Sequence, residues 1–365
     1  MSADNPDPLR VIAAAAPSFS VADAVAIAAE YYGLEVSARE LVSERDRNFH
    51  LRTGDGREFV LKIANSAEDP LVTDFQIQAL LFIEARQADV ATPTIVRTLD
   101  GRAAIELTSG AARHLVRLVT YLPGVLLVKQ PLPMALCRDF GAYAARLGRA
   151  LSGFGHPAAN QSLIWNMNEA ARVRDLTHYI PDDAVRGQVI EALRHFEVQV
   201  HPLFPELRTQ VVHNDLNPEN VLIDRPNGFR IAGVIDFGDM VRCPLVVDVA
   251  VAASYLRAFE GNPLARIAAF VAAYHAVTPL ELREIDLVFD LIRVRLATTV
   301  SVLHWRIAQR GADDPYLDNS VSAESTAGKF LKLLSAVPRE HAWQILRQAC
   351  ASTEVALQRE PDLAD

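Results

Sequence analysis

The hydrophobic period of this chain changes twice, and each change marks a boundary. Apolar positions recur at helical spacing over residues 21–30 and stop at Gly33, with Ser20 as the N-cap candidate. After Gly33 the period falls to two. Residues 35–43, 48–52 and 58–63 read as strands, with the Asp-Gly turn of Thr53-Gly54-Asp55-Gly56 joining the last two, and predict an antiparallel meander. Residues 69–86 read as one helix with Phe75, Leu80 and Ile83 on its apolar face. Residues 92–96, 103–107 and 114–121 read as further strands, and the last runs into the break Pro123-Gly124. Beyond it the period is helical: residues 133–151, 182–200, 263–275, 280–309, 320–334 and 339–358. Two short strands, 221–223 and 229–235, flank the turn Pro226-Asn227-Gly228 in this half, and 244–253 is an almost unbroken apolar run. The pattern predicts an α+β chain. Residues 1–18 read as a loose leader, 19–122 as a small antiparallel sheet with one helix packed on it, and 123–365 as a mostly helical half, with a hinge at 119–124.

The chemistry concentrates where the helical half turns briefly to strands. Val212-His213-Asn214-Asp215-Leu216-Asn217-Pro218-Glu219-Asn220-Val221 places an amide five residues after a carboxylate, and Val234-Ile235-Asp236-Phe237-Gly238-Asp239 adds a second carboxylate on a turn. The spacing H-x-D-x-x-x-x-N followed by D-F-G is that of phosphoryl transfer. There one Asp receives a hydroxyl proton, and an Asn with a second Asp holds Mg²⁺ on nucleotide phosphates. Lys62, among Phe59, Val60, Leu61 and Ile63, alone fits an outward lysine on an alternating strand equally well; with the downstream motif it reads as the lysine that binds nucleotide phosphates. The loop before the second strand, Ser43 to Phe49, lacks glycine, and neither G-x-G-x-x-G nor a Walker A sequence occurs. Backbone N–H groups there, with Ser43, Arg47 and Asn48, are the phosphate-cradle candidates. At the hinge, backbone groups of Val119 and Tyr121 are candidates to read a purine edge. The helix over 69–86 offers Gln76, Gln78 or Glu84 as partners for Lys62. Asp248, alone in its apolar run, is expected to tie down the catalytic turn.

Composition narrows this picture only at its edges. A net charge of −9 over 365 residues argues against the basic stripe of a nucleic-acid binder. Three scattered cysteines, Cys137, Cys243 and Cys350, form neither a disulfide framework nor a thiolate metal site. No apolar stretch has bilayer length and no secretory leader is present, so a soluble cytoplasmic chain is expected. The ten histidines form no ligand cluster, which weighs against a metal-dependent hydrolase.

With the lysine strand, the hinge, H-N-D-L-N-P-E-N and I-D-F-G-D in order, the chain resembles the aminoglycoside phosphotransferase and choline kinase superfamily. Ser43 to Phe49, Gly153-Phe154-Gly155-His156-Pro157 with Trp165-Asn166, and 235–248 are similar to its hydroxylysine kinase branch. The resemblance implies a two-lobed, protein-kinase-like fold and a kinase of small molecules. It implies Asp215 as the base, Asn220 and Asp236 as Mg²⁺ ligands, Lys62 on the nucleotide, and a packing role for His213. The superfamily often has Gly where Asn214 stands. The implied acceptor is a small amino alcohol or hydroxy-amino acid, best 5-hydroxylysine, and the implied donor is ATP or GTP. Homoserine, choline- or ethanolamine-type acceptors, sugars and aminoglycosides are alternatives, and a nucleotide-binding pseudokinase is the alternative of another class. Asp239, Trp165 and Trp305 are the candidates to meet a substrate ammonium. The acidic residues Glu281, Glu284, Asp286 and Asp290 read as a solvated helix face rather than an aminoglycoside site. The branch also implies functional pairing with a pyridoxal-phosphate-dependent aminotransferase.

Overall fold

The computed structural model describes Leu9 and residues 14–43, 45–128, 130–310 and 326–359. It divides into two units, 1–87 with 91–123 and 156–162, and 88–90 with 124–155 and 163–365.

The first unit is built on strand alternation. Helix α1 (Val21–Tyr32) opens with a capping box, in which Ser20 Oγ accepts the Asp23 N–H and Asp23 accepts the Ser20 N–H. It ends on Gly33 at φ 65°, a left-handed position that favours glycine. Strands β1 (Val36–Leu41), β2 (Arg47–Thr53) and β3 (Glu58–Ile63) form the expected meander. Helix α2 (Pro70–Ala85) follows, with Asp69 capping Leu71 N–H and Pro70 at its first position. Strands β4 (Ile95–Val96), β5 (Ile105–Ser109) and β6 (Ala112–Thr120) complete a six-stranded sheet of order β1-β2-β3-β6-β4, with β5 paired to β6. Phe59, Leu61 and Ile63 alternate onto one face with Phe49, Leu51, Val116 and Leu118, and pack there against Ala24, Ile27, Ala28 and Tyr32 of α1. The opposite face carries Lys62, and α2 reaches it through Gln76, which accepts from Arg117. The sheet therefore has a helix on each face, the two helices that the sequence pattern predicts over 21–30 and 69–86. Residues 156–162 also belong here: His156 stacks on Phe75 at 5.2 Å and bonds Asp74 at 3.1 Å.

The second unit is helical around two small sheets. In chain order it contains β7 (Val125–Leu126), α3 (Met134–Ala150), α4 (Ala170–Val173), α5 (Asp183–His195), β8 (Thr209–Val212), β9 (Val221–Ile223), β10 (Ile231–Val234) and β11 (Val241–Pro244). Helices α6 (Val246–Ala253), α7 (Ala265–Val277), α8 (Leu282–Arg310), α9 (Ala327–Ser335) and α10 (Arg339–Arg359) follow. The helix expected over 182–200 changes at Phe196 into one π-type turn, and that expected over 320–334 is seen from Ala327, its start lying outside the described residues. Antiparallel pairs β8–β11 and β9–β10 bracket two loops, because Val212 pairs with Val241 and Val221 with Val234. Loops 213–220 and 235–240 are thereby held side by side.

The acidic residues of α8 are not a solvated face. Glu284 and Asp290 are buried, Glu284 against Arg208 and Asp290 with Arg293, Arg339 and His195, while Asp286 pairs with Arg347. Their partners come from distant stretches of chain, which helical periodicity does not report. All three cysteines are buried, and burial pushes the Cys137 thiol up to about 11. Among the described residues no helix is long and apolar enough to cross a membrane.

Candidate active site

Loop 213–220 gets its shape from two residues around Asp215. Asn214 has φ 63°, a left-handed conformation that Asn tolerates better than most side chains. Its side chain also does what a glycine there could not: Nδ2 donates to the carbonyls of Asp239 at 3.1 Å and Trp165 at 3.4 Å. Asp248, from α6, accepts the buried N–H of Asn214 at 2.7 Å through Oδ1 and that of His213 at 3.3 Å through Oδ2. This is the tie expected of the lone Asp in an apolar run. Burial of its charge pushes the Asp248 carboxyl up to about 6, with the two N–H bonds pulling the other way.

His213 is fully buried and packs edge-on against Phe237 at 4.8 Å. Its Nδ1 accepts the Asp215 N–H at 3.3 Å, which makes Nε2 the protonated nitrogen that donates to Ile235 O at 3.2 Å. Burial drives its pKa down to about 4, so the ring is neutral and links the two loops.

Asp215 itself accepts three hydrogen bonds from side chains. Oδ1 accepts from Asn217 Nδ2 at 2.9 Å and Arg295 Nη2 at 3.2 Å, and Oδ2 accepts from Asn220 Nδ2 at 2.7 Å. Burial, then the nearby Asp239 charge, pushes its pKa up to about 7, against the pull of Arg295 and Asn217. Because Asn220 gives its Nδ2 to Asp215, its amide oxygen is the end left for a cation. Asp236 has φ 59°, and its Oδ1 accepts the Gly238 N–H at 3.2 Å. Among the described residues no group of three or more His, Cys, Asp or Glu could hold a metal by itself. Mg²⁺ does not require one, since it is commonly held by one or two protein groups with substrate phosphates and water. The amide–carboxylate pair Asn220 and Asp236 fits that demand.

The substrate candidates separate. Asp239 is buried, and its charge acts on Asp215. Trp165 is buried too, and its indole, a candidate for a substrate ammonium, is faced by two guanidiniums of the protein, Arg295 at 4.6 Å and Arg306 at 5.5 Å. Arg295 and Arg306 stand eleven residues apart on α8, which brings them to one face. Trp305 is buried roughly 100° around that helix from Arg306, on an adjoining face. Neither Asn217 nor Arg295 stood out in the sequence. Asn217 lies within the motif, but Arg295 is 80 residues downstream with no motif around it.

In the first unit, Lys62 pairs across the sheet with Asn48 on one side and Arg117 on the other, so the three side chains share a face. Gln76 is committed to Arg117, Gln78 donates to Asp74 at 3.2 Å, and Glu84 is exposed. An acidic group that sequence reading missed, Glu68, accepts from Thr73 at 3.0 Å. Burial and Asp46 push its pKa up to about 7, while Arg45 and Arg117 lower it. Ser43 Oγ accepts the Asp46 N–H at 3.3 Å, and Asn48 is buried on β2. Arg47 is engaged with Glu40 and the Pro17 carbonyl, so it anchors the entering chain. Val119 is buried opposite Val60. The Tyr121 N–H donates to Glu58 O at 3.1 Å, so that group is not the one that meets a base.

The comparisons with known proteins agree with this chemistry. Residues 37–285 match the family described as "Phosphotransferase enzyme family". The chain is 30% identical over 312 residues to hydroxylysine kinase of Danio rerio, covering 82% of this chain and 88% of that one. It is 30% identical over 239 residues to homoserine kinase of Methylobacillus glycogenes, covering 64% and 68%. Among solved structures, an amicoumacin kinase bound to AMP-PNP, Ca²⁺ and amicoumacin has the same fold, with a TM-score of 0.67 at 15% identity over 88% of this chain and 95% of that one.

Proposed function

Because the chain belongs to the phosphotransferase enzyme family and is a small-molecule kinase acting on an alcohol group, we propose that its acceptor is a hydroxy-amino acid or amino alcohol, 5-hydroxylysine first. The observation that carries this choice is the likeness to hydroxylysine kinase over most of both chains. The likeness to homoserine kinase, over a shorter span, supports the same class of small hydroxylated amino acid.

In this reading Asp215 is the general base. Its three side-chain donors fix the carboxylate, and the raised pKa matches a group that takes and returns a proton near neutrality. Asn220 and Asp236 hold Mg²⁺, which when bound supplies positive charge to the donor's phosphate oxygens. Asn214, His213 and Asp248 keep the Asp215 loop and the Asp236 turn in register, so the residues stay placed without substrate. Lys62 binds donor phosphates, with Asn48 paired beside it on β2 and Ser43 in the loop between β1 and β2. The donor is ATP or GTP, and the phosphorylated product is the class of compound an accompanying pyridoxal-phosphate enzyme would consume.

The test is a nucleoside-diphosphate release screen with both ATP and GTP. Acceptors are 5-hydroxylysine, homoserine, 1-amino-2-propanol, choline, a hexose and an aminoglycoside. Highest kcat/KM is expected with 5-hydroxylysine, and Asp215→Asn is expected to lower kcat by about 10³-fold while leaving nucleotide binding intact. Preference for the aminoglycoside or hexose would overturn the acceptor class, and undiminished turnover by Asp215→Asn would overturn the base.

A further inference from the structure

One buried cation outside the motifs touches the reacting carboxylate. Arg295 on α8 is 2% exposed; its Nη2 donates to Asp215 Oδ1 at 3.2 Å and its Nη1 to the Trp165 carbonyl at 3.3 Å, and the guanidinium is also hydrogen-bonded with the Tyr255 side chain. The guanidinium lies over the Trp165 indole, 4.6 Å from its centre. That same carbonyl takes Asn214 Nδ2 at 3.4 Å, so Arg295 meets the catalytic loop at Asp215 directly and at Asn214 through a shared acceptor.

The two oxygens of Asp215 are not equivalent. Each carboxylate oxygen offers about two lone-pair positions. Oδ1 has both occupied, by Asn217 at 2.9 Å and Arg295 at 3.2 Å. Oδ2 has one occupied, by Asn220 at 2.7 Å.

We propose that Arg295 is a positioning residue for phosphoryl transfer: with Asn217 it fills Oδ1 of Asp215 and so makes Oδ2 the oxygen that takes the acceptor's hydroxyl proton. The inference rests on Asp215 being the base. In the step, the acceptor O–H proton passes to Oδ2 and the acceptor oxygen forms the new bond to the γ-phosphorus. The bond from that phosphorus to the bridging oxygen breaks, its electron pair leaving with the nucleoside diphosphate, and the proton on Oδ2 then goes to solvent. An arginine suits the task better than a lysine, because one planar fork meets the carboxylate and the carbonyl at once while its carbon stays over the indole. Without it, Oδ1 regains a free lone pair, and Asp215 can turn either oxygen to the acceptor.

The experiment compares Arg295→Met, Arg295→Lys and Asp215→Asn in steady-state kinetics with 5-hydroxylysine, or whichever compound of the screen above is turned over. Nucleotide dissociation constants and melting temperatures accompany them. Arg295→Met is expected to lower kcat about 10- to 100-fold, with both KM values and nucleotide affinity within about threefold of wild type. Arg295→Lys is expected to recover part of the loss, since an ammonium keeps the positive charge but not the rigid planar fork that spans both acceptors. A kcat for Arg295→Met within about twofold of wild type, or a loss confined to acceptor KM, overturns the proposal. Should Arg295→Met fail to fold, Arg295→Lys decides: a several-fold lower kcat at unchanged KM supports the proposal, and an unchanged kcat overturns it. Turnover by Asp215→Asn separates the two readings, since an active Asp215→Asn removes the base itself. An inactive Asp215→Asn beside a normal Arg295→Met removes only the role of Arg295.

Discussion

Gly141 lies in the middle of α3 where that helix packs along α7, and the structure sets what an added methyl must meet. A Cβ there would stand 2.1 Å from the Phe270 carbonyl oxygen, 2.9 Å from its carbon and 3.1 Å from the Tyr274 nitrogen. All are backbone atoms, so no side chain can rotate out of the way. A carbon–oxygen contact normally sits at about 3.3 Å, and the helices must therefore part by roughly 1 Å. Overpacking of this kind costs about 3 kcal/mol, at the upper end of the usual range. Replacing glycine inside a helix returns about 1 kcal/mol. The net loss of about 2 kcal/mol should lower the melting temperature of Gly141→Ala by roughly 2–3 °C in a chain of 365 residues. Gly187, in α5, is the matched control, since its added Cβ has nothing within 4 Å. Gly187→Ala should keep the propensity gain alone and melt about 1 °C higher. The displacement should also reach the site, because α3 accepts Gln210 Nε2 on the Gly148 carbonyl at 2.8 Å and Gln210 lies on β8, the strand that leads into His213. Thermal unfolding by circular dichroism with kcat on the same samples checks both parts. A Gly141→Ala protein that melts within about 1 °C of wild type would refute the reasoning, as would shifts of the same sign for the two variants.

Three further outcomes are expected. Lys62→Met should raise the nucleotide KM by about tenfold or more, leaving melting temperature nearly unchanged because Lys62 is only half-buried on its strand; an unchanged nucleotide KM would remove Lys62 from the donor site. Asp236→Asn should demand about tenfold more Mg²⁺ for half-maximal rate, and a Mg²⁺ titration identical to wild type would exclude Asp236 as a ligand. His213 contributes to stability against acid with a definite sign. Its folded pKa, about 4, lies below the unfolded 6.5, so as pH falls the unfolded chain takes the proton first and stability present above pH 6.5 is lost toward pH 4. At pH 5 the loss amounts to about 2 kcal/mol. Urea unfolding at pH 7 and pH 5 should show His213→Gln losing that much less than wild type, and equal losses would contradict a buried neutral imidazole.

The residues differ in how far they could be read without coordinates. The β1–β3 meander was legible because alternation over six residues and an Asp-Gly turn are local signals, each written in consecutive positions. The start of α2 was legible for the same reason: Asp69 and Pro70 carry a cap and a first-turn preference by themselves. Where helices stop short or change pitch, as at Phe196, packing decides, and the period alone ran on. The acidic residues of α8 show the same limit, since Arg208, Arg339 and Arg347 come from elsewhere in the chain to neutralise them.

The sequence by itself determined the chemistry on offer: a carboxylate, an amide five positions on, and a second carboxylate on a turn, in an order that phosphoryl transfer requires. These are properties of short spacings, and a short spacing survives in any fold that keeps its loop. Only the tertiary structure decided which oxygen of Asp215 is left open, that Asn214 takes a left-handed backbone and bonds two other loops, and that Gln76 serves Arg117. Each of those contacts joins residues between 25 and 130 positions apart, or depends on one that does, and such pairs meet only when burial of the shared core brings their elements together.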